Sequence, residues 1–179
     1  MHPPVTVTVT VAVVLAVLVS SCGYKFGRGP RGLKGVQTVS IPPFEELRSF
    51  ELSAGAVFAA ALRRAVLETD ALELAPADAA DAAVKGRLLR LRAAPIAYPT
   101  GVDSGEIAVG EYRLDASVDV TVRRRSDGRV LFREKRFSGT EEYLAGAEPI
   151  ATTENRRQAL ERLARRLMTD LYDLMLQGF

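Results

Sequence analysis

The stretch between Tyr112 and Arg123 alternates strictly between apolar and polar residues. Successive side chains of a β-strand point to opposite faces, so this alternation predicts a strand with one buried and one solvent-facing side. Asp127-Gly128 follows as a dipeptide typical of hairpin turns, and Arg129–Ser138 is predicted to return as the paired strand. The chain is therefore expected to contain an antiparallel sheet with one open, polar face.

A second strand, predicted over Val84–Ala93, changes its phase halfway along. Its polar side chains lie first at odd positions, Lys85 and Arg87, and then at even positions, Arg90 and Arg92. The change falls between two consecutive leucines. Because strand side chains alternate with a period of two, such a change requires an extra residue, and a β-bulge or a local bend is expected there.

Two segments have the spacing of amphipathic helices, Glu51–Glu68 and Glu154–Leu176. Two further strands are predicted over Val36–Ile41, which Pro42-Pro43 ends, and over Leu72–Ala75, a short edge strand. This order of elements predicts an α+β fold. We expect a two-layer sandwich in which two α-helices pack on one face of a mostly antiparallel β-sheet of about four strands.

The N-terminus carries an apolar run, small residues and the single cysteine of the chain. Residues 5–19 are only Val, Thr, Ala and Leu, and Ser20-Ser21-Cys22 follows. The run has the length of a signal-peptide core and is shorter than the roughly 20 residues that span a bilayer. It resembles the bacterial lipoprotein signal, which implies cleavage before Cys22 and lipidation of that residue. Two alternatives stay open, because no Lys or Arg precedes the run. The chain could be a secreted protein with a free thiol, or the run could be an uncleaved N-terminal anchor.

These features divide the chain into three parts. Residues 1–21 are expected to form a lipoprotein signal peptide, residues 22–35 a lipidated N-terminus with a flexible Gly-rich tether, and residues 36–179 a single α+β domain. Gly23 stands where an Asp would indicate retention in the inner membrane. Lipid anchoring on the periplasmic side of the outer membrane is therefore expected.

Composition excludes several kinds of chemistry. His2 is the only histidine and would be lost on cleavage, while Cys22 is the only cysteine. Ser-His-Asp and Cys-His catalysis and His- or Cys-based zinc sites are then excluded, and no Gly-rich phosphate loop is present. We therefore expect no enzyme activity, no catalytic residue, no cofactor and no metal, although a hydrolase with two carboxylates stays formally open.

Basic residues are concentrated in the predicted hairpin, although the net charge of the chain is only +2. The guanidinium fork of arginine binds phosphate and carboxylate groups in pairs. In the cell envelope the expected polyanions are lipid phosphates and cell-wall polymers, and nucleic acid is not expected. The alternative is a merely solvated polar face. The candidate anion-binding residues are Arg123, Arg124, Arg125 and Arg129 of the hairpin and Arg87 of the strand before it.

Four motifs follow one another along the chain: Cys22-Gly23-Tyr24-Lys25-Phe26, Ile41-Pro42-Pro43-Phe44-Glu45, Glu111-Tyr112-Arg113-Leu114 and Thr140-Glu141-Glu142-Tyr143. In order and spacing they resemble the lipopolysaccharide-assembly lipoproteins, the LptE family. The resemblance implies an outer-membrane lipoprotein that plugs the lipopolysaccharide-export β-barrel, helps the barrel to fold, and binds lipopolysaccharide during delivery to the outer leaflet. The long connection Pro95–Glu111 would then contact the barrel wall.

Another class of function stays open beside this one. A lipoprotein facing the periplasm can also activate a cell-wall synthase by protein contact. Purification of the anchored protein with a β-barrel or with an inner-membrane synthase separates these two hypotheses.

Overall fold

The computed structural model describes residues 33–51, 53–97, 110–146 and 148–178. The predicted signal peptide, Cys22 and most of the predicted tether lie outside these residues, as does most of the predicted Pro95–Glu111 connection. The described elements are strands β1 (Thr38–Ser40), β2 (Glu45–Glu46), β3 (Glu73–Leu74), β4 (Ala82–Ala97), β5 (Glu111–Arg124) and β6 (Val130–Leu144), and helices α1 (Ala54–Leu67) and α2 (Pro149–Gln177).

The sheet has two different halves. Strands β4, β5 and β6 form a long antiparallel meander, while the short strands β1, β2 and β3 make only parallel pairs, β1 with β3 and β4, and β2 with β4. Within the described residues the sheet therefore has six strands in the order β3-β1-β4-β5-β6, with β2 also on β4. The α+β prediction is confirmed, but the predicted count of about four strands was too low and the sheet is mixed.

The predicted phase change in β4 is a β-bulge. The pairing of β4 with β5 shifts between Leu88 and Arg90, so that Leu89 is the extra residue. A second bulge interrupts β6, where the partners jump from Val118–Phe137 to Val120–Glu134. Both bulges lie beside the middle of β5, and bulges at such places bend the strands and increase their twist.

Both helices pack on the same face of the sheet, as predicted. Helix α2 contacts α1, β5 and β6, and α1 contacts β2, β3 and β4. The buried apolar residues form one continuous core that extends from Leu33 to Met175, so this part of the chain folds around its own core. None of the helices that the structure describes is both long and apolar enough to cross a membrane.

Phe44, from the Pro-Pro motif, joins α1 to the sheet. Its ring lies so close to Gly86 of β4 that a Cβ there would be 2.2 Å from Cδ1 of the ring. Its N–H donates to the carbonyl of Gly55 at 3.2 Å, and Glu46 Oε1 accepts the N–H of Gly55 at 2.9 Å. The carboxylate of Glu46 thus satisfies a free donor in the first turn of α1.

Glu141 of β6 joins the sheet to α2. Its side chain is only 14% exposed and accepts hydrogen bonds from Arg162 Nε and Arg166 Nη1, each at 2.8 Å. Burial alone would raise the pKa of Glu141, but the two guanidinium groups outweigh it and hold this pKa below its ordinary value. The acidic motif before the last helix therefore has a structural role.

Candidate anion-binding face

The sheet surface opposite the helices, here called the open face, is predominantly basic. It is built from the polar phase of the three long strands, because residues paired across β4, β5 and β6 point to the same side. Because of the bulge at Leu89, the polar side chains of both halves of β4 point to the open face. The basic residues of the open face are Lys85, Arg87, Arg90, Arg92, Arg113, Arg123, Arg133, Lys135 and Arg136.

Only part of this positive charge is neutralised. The ion pairs on the open face and its rim are Arg87–Glu45 at 3.7 Å, Arg87–Asp119 at 4.0 Å, Arg92–Asp115 at 3.5 Å and Arg113–Glu142 at 3.0 Å. Exposed pairs of this kind are worth about 0–1 kcal/mol each, so an anionic ligand can displace them. Within the described part of the chain, Lys85, Arg90, Arg123, Arg133 and Lys135 have no carboxylate within 4.0 Å.

The open face holds two shallow depressions. The first, here called the hairpin trough, has a volume of about 330 Å³ and is lined by Lys85, Arg87, Arg123, Arg133 and Lys135 with Asp119, Thr121 and Glu134. The second, the central trough, has a volume of about 730 Å³ and is lined chiefly by Arg90, Arg92 and Arg136 with Asp115, Ser117, Ser138 and Thr140.

Arg136 reaches the central trough because of the bulge in β6. Its backbone adopts a φ of 53°, unusual for a residue other than glycine. Its N–H donates to Asp119 Oδ1 at 2.9 Å, and this bond holds the bulge. The carboxylate of Asp119 therefore fixes the backbone of the bulge and also pairs with Arg87 on the open face.

The structure brings together two of the five predicted anion-binding residues. Arg87 and Arg123 lie in the hairpin trough, and Arg123 Nη1 also donates to the carbonyl of Gly128 at 2.5 Å. Arg129 is exposed at the turn, where its N–H donates to Asp127 Oδ1 at 3.0 Å. That hydrogen bond is the main reason why the pKa of Asp127 lies below its ordinary value.

Arg124 and Arg125 are engaged elsewhere in the domain. Arg124 Nη2 donates to the carbonyl of Lys34 at 2.6 Å, and Arg125 Nη1 donates to the carbonyl of Ala77 at 2.8 Å. Both guanidinium groups thus connect the hairpin to segments that flank β1 and β3. Arg124 is the last residue of β5 and has the opposite parity to Arg123, and Arg125 lies beyond the end of the strand, so their placement differs from that of Arg123.

Sequence reasoning did not select Arg113 as a site residue. Arg113 has the same parity in β5 as Arg123, so the alternation already placed both on the polar side. Arg90 and Arg92 lie in the strand with the predicted phase change, but sequence reasoning did not select them as site residues either. Their common trough depends on the bulge in β4 and on the bulge that carries Arg136.

The chemistry of the open face is that of anion binding. Guanidinium and ammonium groups offer several donors to phosphate or carboxylate oxygens. Among the described residues, no group of three or more His, Cys, Asp or Glu side chains is placed to hold a metal ion. The surface is wide and shallow, which suits a large polyanion.

Residues 36–175 match the sequence model of the LptE family, described as lipopolysaccharide-assembly. No curated protein sequence matches the chain significantly. Solved structures with a similar fold include a protein of Caulobacter crescentus CB15 described as a lipoprotein, which is 15% identical with a TM-score of 0.46 over 74% of this chain and 87% of that one. Another is the protein CT253 of Chlamydia trachomatis, 14% identical with a TM-score of 0.46 over 76% and 94%. A third is the dodecameric PelC of Paraburkholderia phytofirmans, 16% identical with a TM-score of 0.40 over 83% and 93%.

Proposed function

This chain belongs to the LptE lipopolysaccharide-assembly family, and we propose that it is a non-catalytic lipoprotein that plugs the lipopolysaccharide-export β-barrel of the outer membrane. It would help the barrel to assemble and would assist delivery of lipopolysaccharide to the outer leaflet. The family match over residues 36–175 is the observation that carries this proposal, because it covers the described domain almost completely.

Lipidation of Cys22 would anchor the domain on the periplasmic side of the outer membrane. Several acyl chains on one residue give stable anchoring, because each buried methylene contributes about 0.8 kcal/mol. Residues 23–32 would serve as the tether that lets the domain enter a barrel near the membrane surface, because Leu33 already belongs to the buried core.

The open face would bind the phosphate groups of lipopolysaccharide. Arg87 and Arg123 in the hairpin trough are the proposed principal contacts, and Arg129 at the turn lies beside them. Guanidinium groups that compete for the phosphates would loosen lipopolysaccharide aggregates, since cations bridge these phosphates in the aggregate. No covalent chemistry is required.

Purification of the natively anchored protein from outer membranes tests the partner. The proposal expects a large β-barrel protein to copurify in stoichiometric amount and to be depleted from the outer membrane when this protein is absent. Copurification with an inner-membrane cell-wall synthase in place of a barrel would contradict the proposal.

A charge-matched pair of double variants tests the open face. Arg87→Gln with Arg123→Gln removes two charges from the hairpin trough, and we expect the Kd for lipopolysaccharide at low salt to rise roughly tenfold. Arg64→Gln with Arg165→Gln removes two charges from one depression of the helix layer and is expected to change the Kd less than twofold. Equal effects of both variants would show that binding follows net charge and not this face.

A further inference from the structure

The outer edge of β4, on the side away from β5, is only partly covered by other strands. Strands β1 and β2 pair with its first half. Beyond β2, the Leu47 N–H donates to the Leu88 carbonyl at 2.9 Å, and the Leu91 N–H donates to the Arg48 carbonyl at 2.9 Å. The chain then turns away at Ser49, whose hydroxyl bonds to the backbone two residues further on. Among the described residues, β5 is the only strand beside β4 after Leu91.

This uncovered stretch has backbone groups that point outward. The Leu91 N–H points away from β5, since it bonds to Arg48 on the other side. The backbone groups of every second residue of an antiparallel strand point the same way, and the pairing with β5 has no shift between Arg90 and Pro95. The N–H and carbonyl of Ala93 and the carbonyl of Pro95 therefore point outward too. Unpaired groups of this kind are a template for an added strand.

An apolar cleft adjoins this edge on the helix side of the sheet, with a volume of about 430 Å³. Its aromatic walls are held in place: the rings of Tyr112 and Tyr143 are stacked with centroids 5.5 Å apart. Phe50 is 46% exposed, yet the guanidinium of Arg156 lies over its ring at 5.5 Å and pairs with Glu51 at 3.3 Å. We call this depression the end cleft; its chief lining residues are Phe50, Leu91, Ala93, Tyr112 and Tyr143.

The opposite side of the same stretch of β4 is cationic. Arg90 and Arg92 point to the open face; Arg92 pairs with Asp115 at 3.5 Å, and Arg90 has no carboxylate within 4.0 Å among the described residues. Because side chains of a strand alternate between the two faces of a sheet, a strand added here would place one set of side chains beside the end cleft and the other set beside these arginines. Apolar residues suit the first set and acidic residues the second.

We propose that an extended segment of the barrel protein adds to the sheet beside residues 91–95 of β4, with apolar side chains in the end cleft and acidic side chains on Arg90 and Arg92. The inference rests on the proposed function only in assigning this segment to the barrel protein. The alternation of apolar and acidic residues in the segment follows from the two faces of this edge. Backbone hydrogen bonds to Ala93 would fix its register.

Photocrosslinking of the full, anchored protein in outer membranes tests this contact. The crosslinking residue p-benzoylphenylalanine in place of Phe50 keeps an aromatic side chain at the end cleft. The control carries the same residue in place of Leu67, which is 71% exposed at the last position of α1. We expect position 50 to crosslink to one segment of the barrel protein in which apolar and acidic residues alternate. Position 67 is expected to give no crosslink to that segment.

Proline substitution in the protein with the crosslinker at position 50 tests the backbone contact. Ala93→Pro removes the outward N–H and puts ring atoms where the added strand would lie, while the hydrogen bonds to β5 remain. We expect the crosslink yield to fall at least about fivefold. Ser138→Pro is the matched control: Ala145 N–H bonds to Gly110 of β5, so by the same alternation the Ser138 N–H points outward at the opposite edge of the sheet. Its expected effect is below about twofold.

A charge reversal tests the other face without a change in the backbone. Arg90→Glu should lower the crosslink yield at least about threefold, because it sets like charges against each other. Arg165→Glu, an equal change of charge in the helix layer, should lower the yield less than about twofold. An unchanged yield in Arg90→Glu, or in Ala93→Pro that is folded by circular dichroism, would overturn the inference.

The crosslinked partner separates this inference from the proposed function. If the barrel protein copurifies but position 50 crosslinks only to a second copy of this chain, or to nothing, the inference fails and the proposed function stands. If no barrel protein copurifies and position 50 captures an inner-membrane protein, both fail.

Discussion

Replacing Gly86 with alanine should damage the junction between α1 and the sheet. The new Cβ would lie 2.2, 2.3 and 2.4 Å from three ring carbons of Phe44, whereas carbon atoms in contact are normally about 3.5–4.0 Å apart. Phe44 as a whole residue is only 4% exposed. Phe44 is also confined at its backbone, since its carbonyl oxygen lies 2.2 Å from the position that a Cβ on Gly55 would occupy.

The free energy of unfolding should fall by about 2–3 kcal/mol in Gly86→Ala. Overpacking a core costs about 1–3 kcal/mol, and a Phe44 ring expelled to solvent would lose about 1.5–3 kcal/mol of burial. These costs are alternatives and are not summed, because the ring either stays under strain or leaves. Alanine has less conformational freedom than glycine in the unfolded chain, and this difference offsets at most about 0.4–1 kcal/mol of the loss in stability.

Urea denaturation of residues 23–179, followed by circular dichroism, measures this change. Gly139→Ala is the control, because its new Cβ meets only the ends of Leu167 and Leu163 at 3.0 and 3.3 Å; a loss below about 1 kcal/mol is expected. In Phe44→Leu, Gly86→Ala should cost at least about 1 kcal/mol less than in the parent, because a smaller side chain faces the new methyl group. The reasoning would be refuted if the stability losses of Phe44→Leu and Gly86→Ala were simply additive in the double variant. It would also be refuted if Gly86→Ala were as stable as the parent.

Three further outcomes are expected. Glu141→Gln should lower the free energy of unfolding by about 1–2 kcal/mol at neutral pH. Because the pKa of Glu141 is lowered on folding, the carboxylate stabilises the fold above its unfolded-state pKa, and this contribution disappears as the pH falls through its folded-state pKa. A difference in stability from the parent that persists in acid would contradict this expectation. Arg124→Gln should lower the free energy of unfolding by about 0.5–1.5 kcal/mol, because it removes the hydrogen bond to the Lys34 carbonyl. Unchanged stability together with weaker lipopolysaccharide binding would show instead that Arg124 binds the ligand. Cys22→Ala should move the folded protein out of the membrane fraction, and retention with a barrel in fractionation would show that partner contact suffices for localisation.

Local patterns predicted the long elements of the fold well. The alternation in β5 and the phase change in β4 each concern neighbouring residues, so they were readable without knowledge of any partner strand. Strand β2 was not predicted, because Glu45 and Glu46 have no apolar alternation and are held by pairing with Arg87 and Leu88. The parallel pairs were also missed, since nothing in a two- or three-residue strand specifies its neighbour.

The candidate site was predicted in part for the same reason. The basic residues were visible as a concentration of charge, and the parity of β5 placed Arg113 and Arg123 on one side. Parity could not show that Arg124 and Arg125 donate to the carbonyls of Lys34 and Ala77, because those acceptors are far away in the sequence. The bonds form only when the hairpin is packed beside β1 and β3.

The sequence by itself determined which faces are apolar and where the chain turns, because periodicity and turn residues are local properties. Tertiary structure decided which cations share a trough, why Gly86 and Gly55 must be glycine beside Phe44, and why Glu141 is held between α2 and the sheet. These features arise from contacts between distant segments. Their geometry depends on bulges, strand order and helix placement together, which no single stretch of the chain encodes.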